Sequence, residues 1–119
     1  MPLARYVLYQ KGVEIYTAPT ADGRTTWLPS MQHIAQEGRC FVISDFPEDY
    51  PSHGVDSGVW CRGGSCIIGP LGEILAGPLW DKEGIVFADL DISSLAGAKL
   101  DFDPIGHYAR DDLLKNLIR

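Results

Sequence analysis

A mixed α/β fold is what this 119-residue chain predicts, and three observations lead to it. Apolar runs of strand length alternate with stripes of helical spacing in the first half. The second half reads as a meander of short strands. Thirteen glycines and eight prolines are dispersed along the chain as turn formers rather than gathered in a linker. With 45% hydrophobic and 22% charged residues the chain has the composition of a globular unit. Residues 1–119 therefore read as one unit, without repeats or low-complexity segments.

The elements follow in order. Leu3, Val7 and Leu8, with Tyr6 and Tyr9 beside them, predict the tail of a helix ending at Gln10 and closed by Gly12 at its C-terminal cap. Val13 to Ala18 is expected as a short buried strand, stopped by Pro19, with a turn over Thr20 to Arg24. Trp27 to Gly38 sets Leu28, Met31, Ile34 and Ala35 on one stripe, which predicts a helix with an apolar face. Cys40 to Ile43 is a second buried strand, and Asp45 to Val59, rich in proline and acids, a loop. Ser65 to Gly69 is a third strand, Pro70 to Glu73 a turn, and Ile74 to Ala76 the returning arm of a hairpin. Gly84 to Leu90 predicts another strand, Ser93 to Lys99 a short helix, and Arg110 to Ile118 a last one. The chain opens inside a helix without a capping residue or leading loop, which suggests a piece of a longer domain.

Charge and cysteine usage narrow the partners. A formal charge of -6 argues against nucleic acid or an anionic membrane, since both require a basic face. No apolar run approaches the roughly 20 residues of a membrane span, and Met1 to Arg5 lacks the apolar centre of a signal peptide. Three cysteines, an odd number, fit reduced thiols better than a disulfide framework, so the cytoplasm is the expected compartment.

Candidate chemistry is sparse. Asp101 to Arg110 packs two acids, Pro104, Gly106 and the pair His107–Tyr108 into ten residues, and predicts an irregular but ordered loop. An imidazole beside a phenol suits chemistry or subunit contact, while the plainer reading is a surface hydrogen-bond donor. Cys40, His53, Cys61 and Cys66 do not have zinc spacing, because Cys61-x4-Cys66 is not a Cys-x2-Cys knuckle. Cys66 follows Arg62-Gly63-Gly64-Ser65, yet its apolar neighbours mark a buried strand residue rather than an activated nucleophile. Gly63-Gly64 is no phosphate loop, lacking the lysine and the helix. His33 reads as a helix-surface donor. Glu37 closes its helix against the dipole and calls for a cationic partner, with Arg39 or Arg24 the sequence neighbours able to serve. These residues give no complete catalytic set.

Taken together, several runs resemble the nitrilase branch of the carbon–nitrogen hydrolase superfamily. They are Met1 to Tyr6, Glu14 to Asp22, Ser30 to Val42, Arg62 to Ile68, Pro70-Leu71-Gly72, Leu75 to Pro78, and Ala98-Lys99 through Arg110. The resemblance covers nearly the whole chain in the family's order. It implies an α-β-β-α sandwich, here its C-terminal portion, in an enzyme that turns a nitrile and water into a carboxylate and ammonia. The implied chemistry is attack by a cysteine thiolate to a thioimidate and then an acyl-enzyme, with a glutamate base and a lysine that steadies the anionic intermediate. In the family the nucleophile lies in a Cys-Trp-Glu signature just before Met-Pro-Leu, and the glutamate and lysine come earlier still. None of the three is expected in this chain, so the 119 residues alone are expected to be inactive.

The resemblance assigns supporting parts. Pro19, Thr20 and Ala21 fall where the family's chain passes the substrate pocket. Trp27, Met31, His33 and Ile34 lie on a helix resembling one that packs against its symmetry mate in family dimers, so a homo-oligomer is expected. His107 stands at a position that supports activity or assembly. A small nitrile is the implied substrate, and neither metal nor cofactor is implied. Departures include a shortened stretch after Ser44, Gly97 in place of a frequent arginine, and an early end after Leu117. The alternative reading is a free-standing, non-catalytic binding or assembly module. Either way, half a sandwich would leave an apolar sheet face and strand edges open.

Overall fold

The computed structural model describes residues 1–22, 24–45 and 62–114. Within them the first helix, α1 (Pro2–Gln10), begins on a proline whose fixed φ suits a first helical turn. It ends as its glycine predicts. Gly12 adopts a left-handed φ of 75°, its N–H donates to the Tyr9 carbonyl at 2.9 Å, and the Val13 N–H reaches back to Leu8 at 3.4 Å. These two bonds form a Schellman closure, which turns the chain sharply into the sheet.

Strand β1 (Ile15–Thr17) runs parallel to β2 (Phe41–Ser44), and helix α2 (Trp27–Gly38) joins them. Strands β3 (Gly63–Ile68) and β4 (Ile74–Trp80) add antiparallel, giving the order β1-β2-β3-β4. The β2–β3 register pairs Val42 with Ile68 and Ser44 with Cys66, so these four side chains share one face. Met31, Ile34 and Ala35 from α2 and Tyr9 from α1 close over that face, with Cys40 completing the core. The stripe expected on α2 is the one the core uses.

Two further contacts fix the layers. Arg39 ends α2 in a left-handed conformation, φ 47°, and its guanidinium binds Asp101 while lying 5.3 Å from the centre of the Phe102 ring. That anchors the end of helix α3 (Ser94–Asp101) to the α2–β2 junction. On the opposite side, Gln32 and Gln36 of α2 donate to the Gly72 and Leu71 carbonyls of the β3–β4 turn, at 2.8 and 3.1 Å. A short helix, α4 (Asp111–Leu114), follows the Asp101 to Arg110 run.

Three expectations change. The strand expected over Val13 to Ala18 is shorter and is not buried: Ile15 is 41% exposed, and among the described residues β1 is an edge strand paired on one side. The hairpin arm is longer than expected, running on to Trp80, since Leu79 and Trp80 pair with Ser65 and Gly63. Gly84 to Leu90 forms no strand. Its side chains alternate as a strand's would, but Ile85 and Phe87 are 87% and 82% exposed and no ladder partner stands beside it among the described residues. Alternation supplies one face for burial; a strand also needs a neighbour to take its backbone bonds. The expected loop beyond Asp45, and the end of the last expected helix beyond Leu114, lie outside the described residues.

Candidate functional site

Parallel β1 and β2 deliver their carboxyl ends side by side, which is where open α/β sheets place ligand sites. The chain leaves β1 through Ala18, Pro19, Thr20 and Ala21, with Pro19 and Ala21 exposed and Thr20 half-buried. Backbone bonds extend the pairing past the strand ends: Ala18 N–H to the Ile43 carbonyl at 2.8 Å, and Thr20 N–H to the Asp45 carbonyl at 3.0 Å. The Thr20 hydroxyl accepts from the Asp22 N–H at 3.1 Å, and the Asp22 carboxylate binds Arg24, a hydrogen bond that holds its pKa below the usual range. Across the strand ends, the Ser65 hydroxyl donates to Asp45 Oδ1 at 3.2 Å.

Below this rim Ser44 is the one hydroxyl in the row Val42, Ser44, Cys66, Ile68, and it is 1% exposed. It accepts from Trp27 Nε1 at 3.0 Å and donates to the Ala18 carbonyl at 3.0 Å. A cleft of about 440 Å³ adjoins, lined by Arg5, Leu8, Tyr16, Ala18, Trp27 and Met31 among others. Next to it, Arg5 and His33 flank a shallower depression of about 330 Å³. The rim and cleft therefore offer hydroxyls, one exposed carboxylate and an aromatic wall. Such groups orient a ligand; they do not make a nucleophile–base pair.

Both described cysteines stand apart from that chemistry. Cys40 is fully buried and Cys66 is 1% exposed. Burial pushes each thiol up to about 11, with Lys99 opposing the effect at Cys40. A nucleophilic cysteine needs the reverse shift and an open approach. Among the described residues no group of His, Cys, Asp and Glu is arranged to hold a metal ion, and His53 and Cys61 lie outside them.

The remaining sequence candidates are dispersed. Met31 and Ile34, 2% and 8% exposed, are covered by this chain's own core. Trp27 is half-buried, and His33 is exposed on the outer face of α2. His33 Nε2 lies 3.0 Å from Glu37 Oε2, and that same oxygen accepts from Arg5 at 3.1 Å. Glu37 thus pairs with Arg5 from α1 instead of Arg39 or Arg24, which are taken by Asp101 and Asp22. Helix packing brought in a partner 32 residues away that the local sequence does not reveal.

His107 sits exposed on an ordered turn. The Asp103 carbonyl accepts from the Gly106 and Tyr108 N–H groups at 3.2 and 3.1 Å, and Asp103 Oδ1 accepts from Ile105 at 3.1 Å. The imidazole is tilted on Tyr108 with centroids 4.8 Å apart, and Tyr108 in turn meets Phe102 at 5.0 Å. The turn is closed by its own hydrogen bonds and follows α3 directly. Ser44 is the site residue that sequence reading passed over. Its signal was faint: one hydroxyl closing an otherwise apolar strand run from Cys40 to Ile43.

The chain has relatives among known proteins and solved structures. The chain is 47% identical over 128 residues to Nitrilase blr3397 of Bradyrhizobium diazoefficiens, covering 99% of this chain and 40% of that protein. It is 47% identical over 133 residues to the bifunctional nitrilase/nitrile hydratase NIT4B of Nicotiana tabacum, covering 100% of this chain and 38% of that one. With Nitrilase 2 of Arabidopsis thaliana the identity is 48%, over 96% of this chain and 38% of the relative. The chain thus spans about two fifths of the length of these relatives. Among solved structures, the carbon-nitrogen hydrolase from Helicobacter pylori G27 superposes with a TM-score of 0.80 at 22% identity, covering 100% of this chain and 46% of that one. The C. elegans NitFhit protein superposes at 0.73 and 20% identity, over 95% of this chain and 27% of that one. The fold is the one these proteins share. The family described as Carbon-nitrogen hydrolase matches residues 1–100, and the chain belongs to it.

Proposed function

We propose that these residues form part of a nitrilase. The whole protein would hydrolyse a nitrile in three covalent stages. A cysteine sulfur adds to the nitrile carbon and the nitrogen takes up protons, giving a thioimidate. Water then replaces the nitrogen, releasing ammonia and leaving a thioester. A second water cleaves the thioester to the carboxylate and frees the thiol. The identity to proteins named nitrilases supports the reaction class. One structural observation supports the division of labour: Cys40 and Cys66 are sealed in the core with raised pKa values, so neither serves as the nucleophile.

On the family resemblance, the catalytic cysteine, glutamate and lysine come from outside these 119 residues. Pro19, Thr20 and Ala21 form a wall of the nitrile pocket. The exposed side of α2 around Trp27 and His33 meets a second copy, with Met31 and Ile34 holding that helix from behind. His107 braces its turn against Tyr108, and the free thiols suit the cytoplasm.

The test is ammonia release from an aliphatic and an arylaliphatic nitrile, comparing the 119 residues alone with the full-length protein. Carboxylate and amide products are separated, because one relative carries both nitrilase and nitrile hydratase in its name. Activity confined to the full-length protein, with Cys-Trp-Glu encoded in frame directly before Met1, is the expected result. Cysteine-dependent turnover by the 119 residues would overturn the division of labour. Catalytic residues encoded downstream would place these residues on the N-terminal side of the nucleophile instead.

A further inference from the structure

The connection from β1 to α2 covers residues 18–26, and one buried hydroxyl touches both of its ends. Ser44 Oγ donates to the carbonyl of Ala18, where the chain leaves β1, at 3.0 Å. The same oxygen accepts from the indole N–H of Trp27, the first residue of α2, at 3.0 Å. Between these points the connection bonds mostly to itself: Asp22 N–H to Thr20 Oγ1, Arg24 N–H to Asp22 Oδ1, and Trp27 N–H to the Arg24 carbonyl. The bonds from the Ala18 and Thr20 N–H groups to β2 and Asp45 hold only the first three residues. Among the described residues Ser44 joins the departure and the arrival.

Its position makes this costly to provide. Ser44 faces the helices in a row otherwise made of Val42, Cys66 and Ile68, where packing calls for an apolar side chain. A hydroxyl 1% exposed in such a row is tolerated when both of its bonding capacities are met, and here they are. Replacing it takes the protein partner from two half-buried polar groups, the indole N–H and the Ala18 carbonyl.

We propose that Ser44 is a positioning residue: by clasping Ala18 and Trp27 together it sets the placement of Pro19, Thr20 and Ala21, and so the fit of substrate against them. This rests on the reading of those three residues as a pocket wall. Ser44 itself touches neither substrate nor reacting atoms. Loss of the clasp should loosen ground-state binding and leave the chemical step intact, a split in KM against kcat that general destabilisation does not produce.

The experiment uses the full-length protein with Ser44→Ala, Ser44→Thr, which keeps the hydroxyl, and Trp27→Phe, which removes the indole donor and keeps an aromatic ring. Amide and indole hydrogen exchange reads the clasp; nitrile turnover reads its consequence. The Trp27 indole N–H should be protected in the unsubstituted protein and lose protection in Ser44→Ala, with faster amide exchange over residues 18–22. KM should rise about fivefold or more in Ser44→Ala and Trp27→Phe, with kcat within twofold, and Ser44→Thr should restore it. Should Ser44→Ala fail to fold, Trp27→Phe still carries the amide-exchange and KM readouts. An unprotected indole in the unsubstituted protein would overturn the clasp. Faster exchange with KM unchanged would overturn the positioning role and leave Ser44 a stabilising residue. If the unsubstituted protein turns over no nitrile, the nitrilase reading and the positioning role fall together, and exchange alone still decides the clasp.

Discussion

At the scale of single residues, burial outweighs chemistry. Cys40 and Cys66 each lie in apolar surroundings that keep the proton on sulfur. The ordinary thiol value is 9.0 and the folded value of both is about 11. Between those limits the unfolded chain loses its thiol protons while the folded chain keeps them, so rising pH favours unfolding. The unfolding free energy should therefore hold up to about pH 8 and fall through pH 9–11, read from denaturant melts at fixed ionic strength. Cys66→Ala should flatten that slope. Thiol-specific labelling at pH 7.5 should leave both residues unmodified until denaturant is added. Glu37 gives a second prediction. Its carboxylate joins α1 to α2 through Arg5 while 26% exposed, so Glu37→Gln should cost about 1 kcal/mol, measured as a lower urea midpoint.

At the scale of elements, what the sequence revealed and what it hid separate by range. Helix α2 was legible to the residue, from Trp27 to Gly38, because its stripe and its terminal glycine are local signals. The α1 closure at Gly12 was legible for the same reason. The false strand at Gly84 to Leu90 had the local signal without the neighbour that makes a strand. The partner of Glu37, and the clasp at Ser44, depend on which helix lies over which strand, and no window of sequence holds that information. The proposal that Pro19 to Ala21 form a pocket wall rests on resemblance, not on a local signal. Two glycines make the contrast measurable. A Cβ at Gly38 would enter the Tyr9 ring, so Gly38→Ala should destabilise by about 1–3 kcal/mol. Gly97, within α3, faces open space, so Gly97→Ala should stabilise by roughly 0.5–1 kcal/mol. Thermal melts of the two variants should move in opposite directions.

At the scale of the whole molecule the 119-residue chain is extended for its length. The radius of gyration is 16.2 Å, against about 13.5 Å for a compact chain of this length. The shortest dimension, 18 Å, is one helix layer on one sheet. Ile85, Phe87 and Leu100 are each more than four-fifths exposed. Such a surface should self-associate when the 119 residues are expressed alone. Light scattering after gel filtration should show oligomers or aggregate, reduced by the double change Ile85→Lys and Phe87→Lys. A monomer with a sharp cooperative melt would instead favour an independent module. No helix among the described residues is long and apolar enough to cross a membrane, so these apolar side chains do not belong to a spanning helix.

The grip of Gln32 and Gln36 on the β3–β4 turn has a consequence for how this chain can vary. Their amides meet two successive carbonyls, Leu71 and Gly72, at the tip of a turn where Gly72 takes a φ of 87°. Hairpin tips ordinarily accept extra residues at little cost, which makes them convenient places for a tag or a cleavage site. Here one inserted residue would carry both carbonyls out of reach of a helix that cannot follow. The tip behaves as a keyed joint of fixed length, and an epitope meant to leave the fold undisturbed belongs elsewhere.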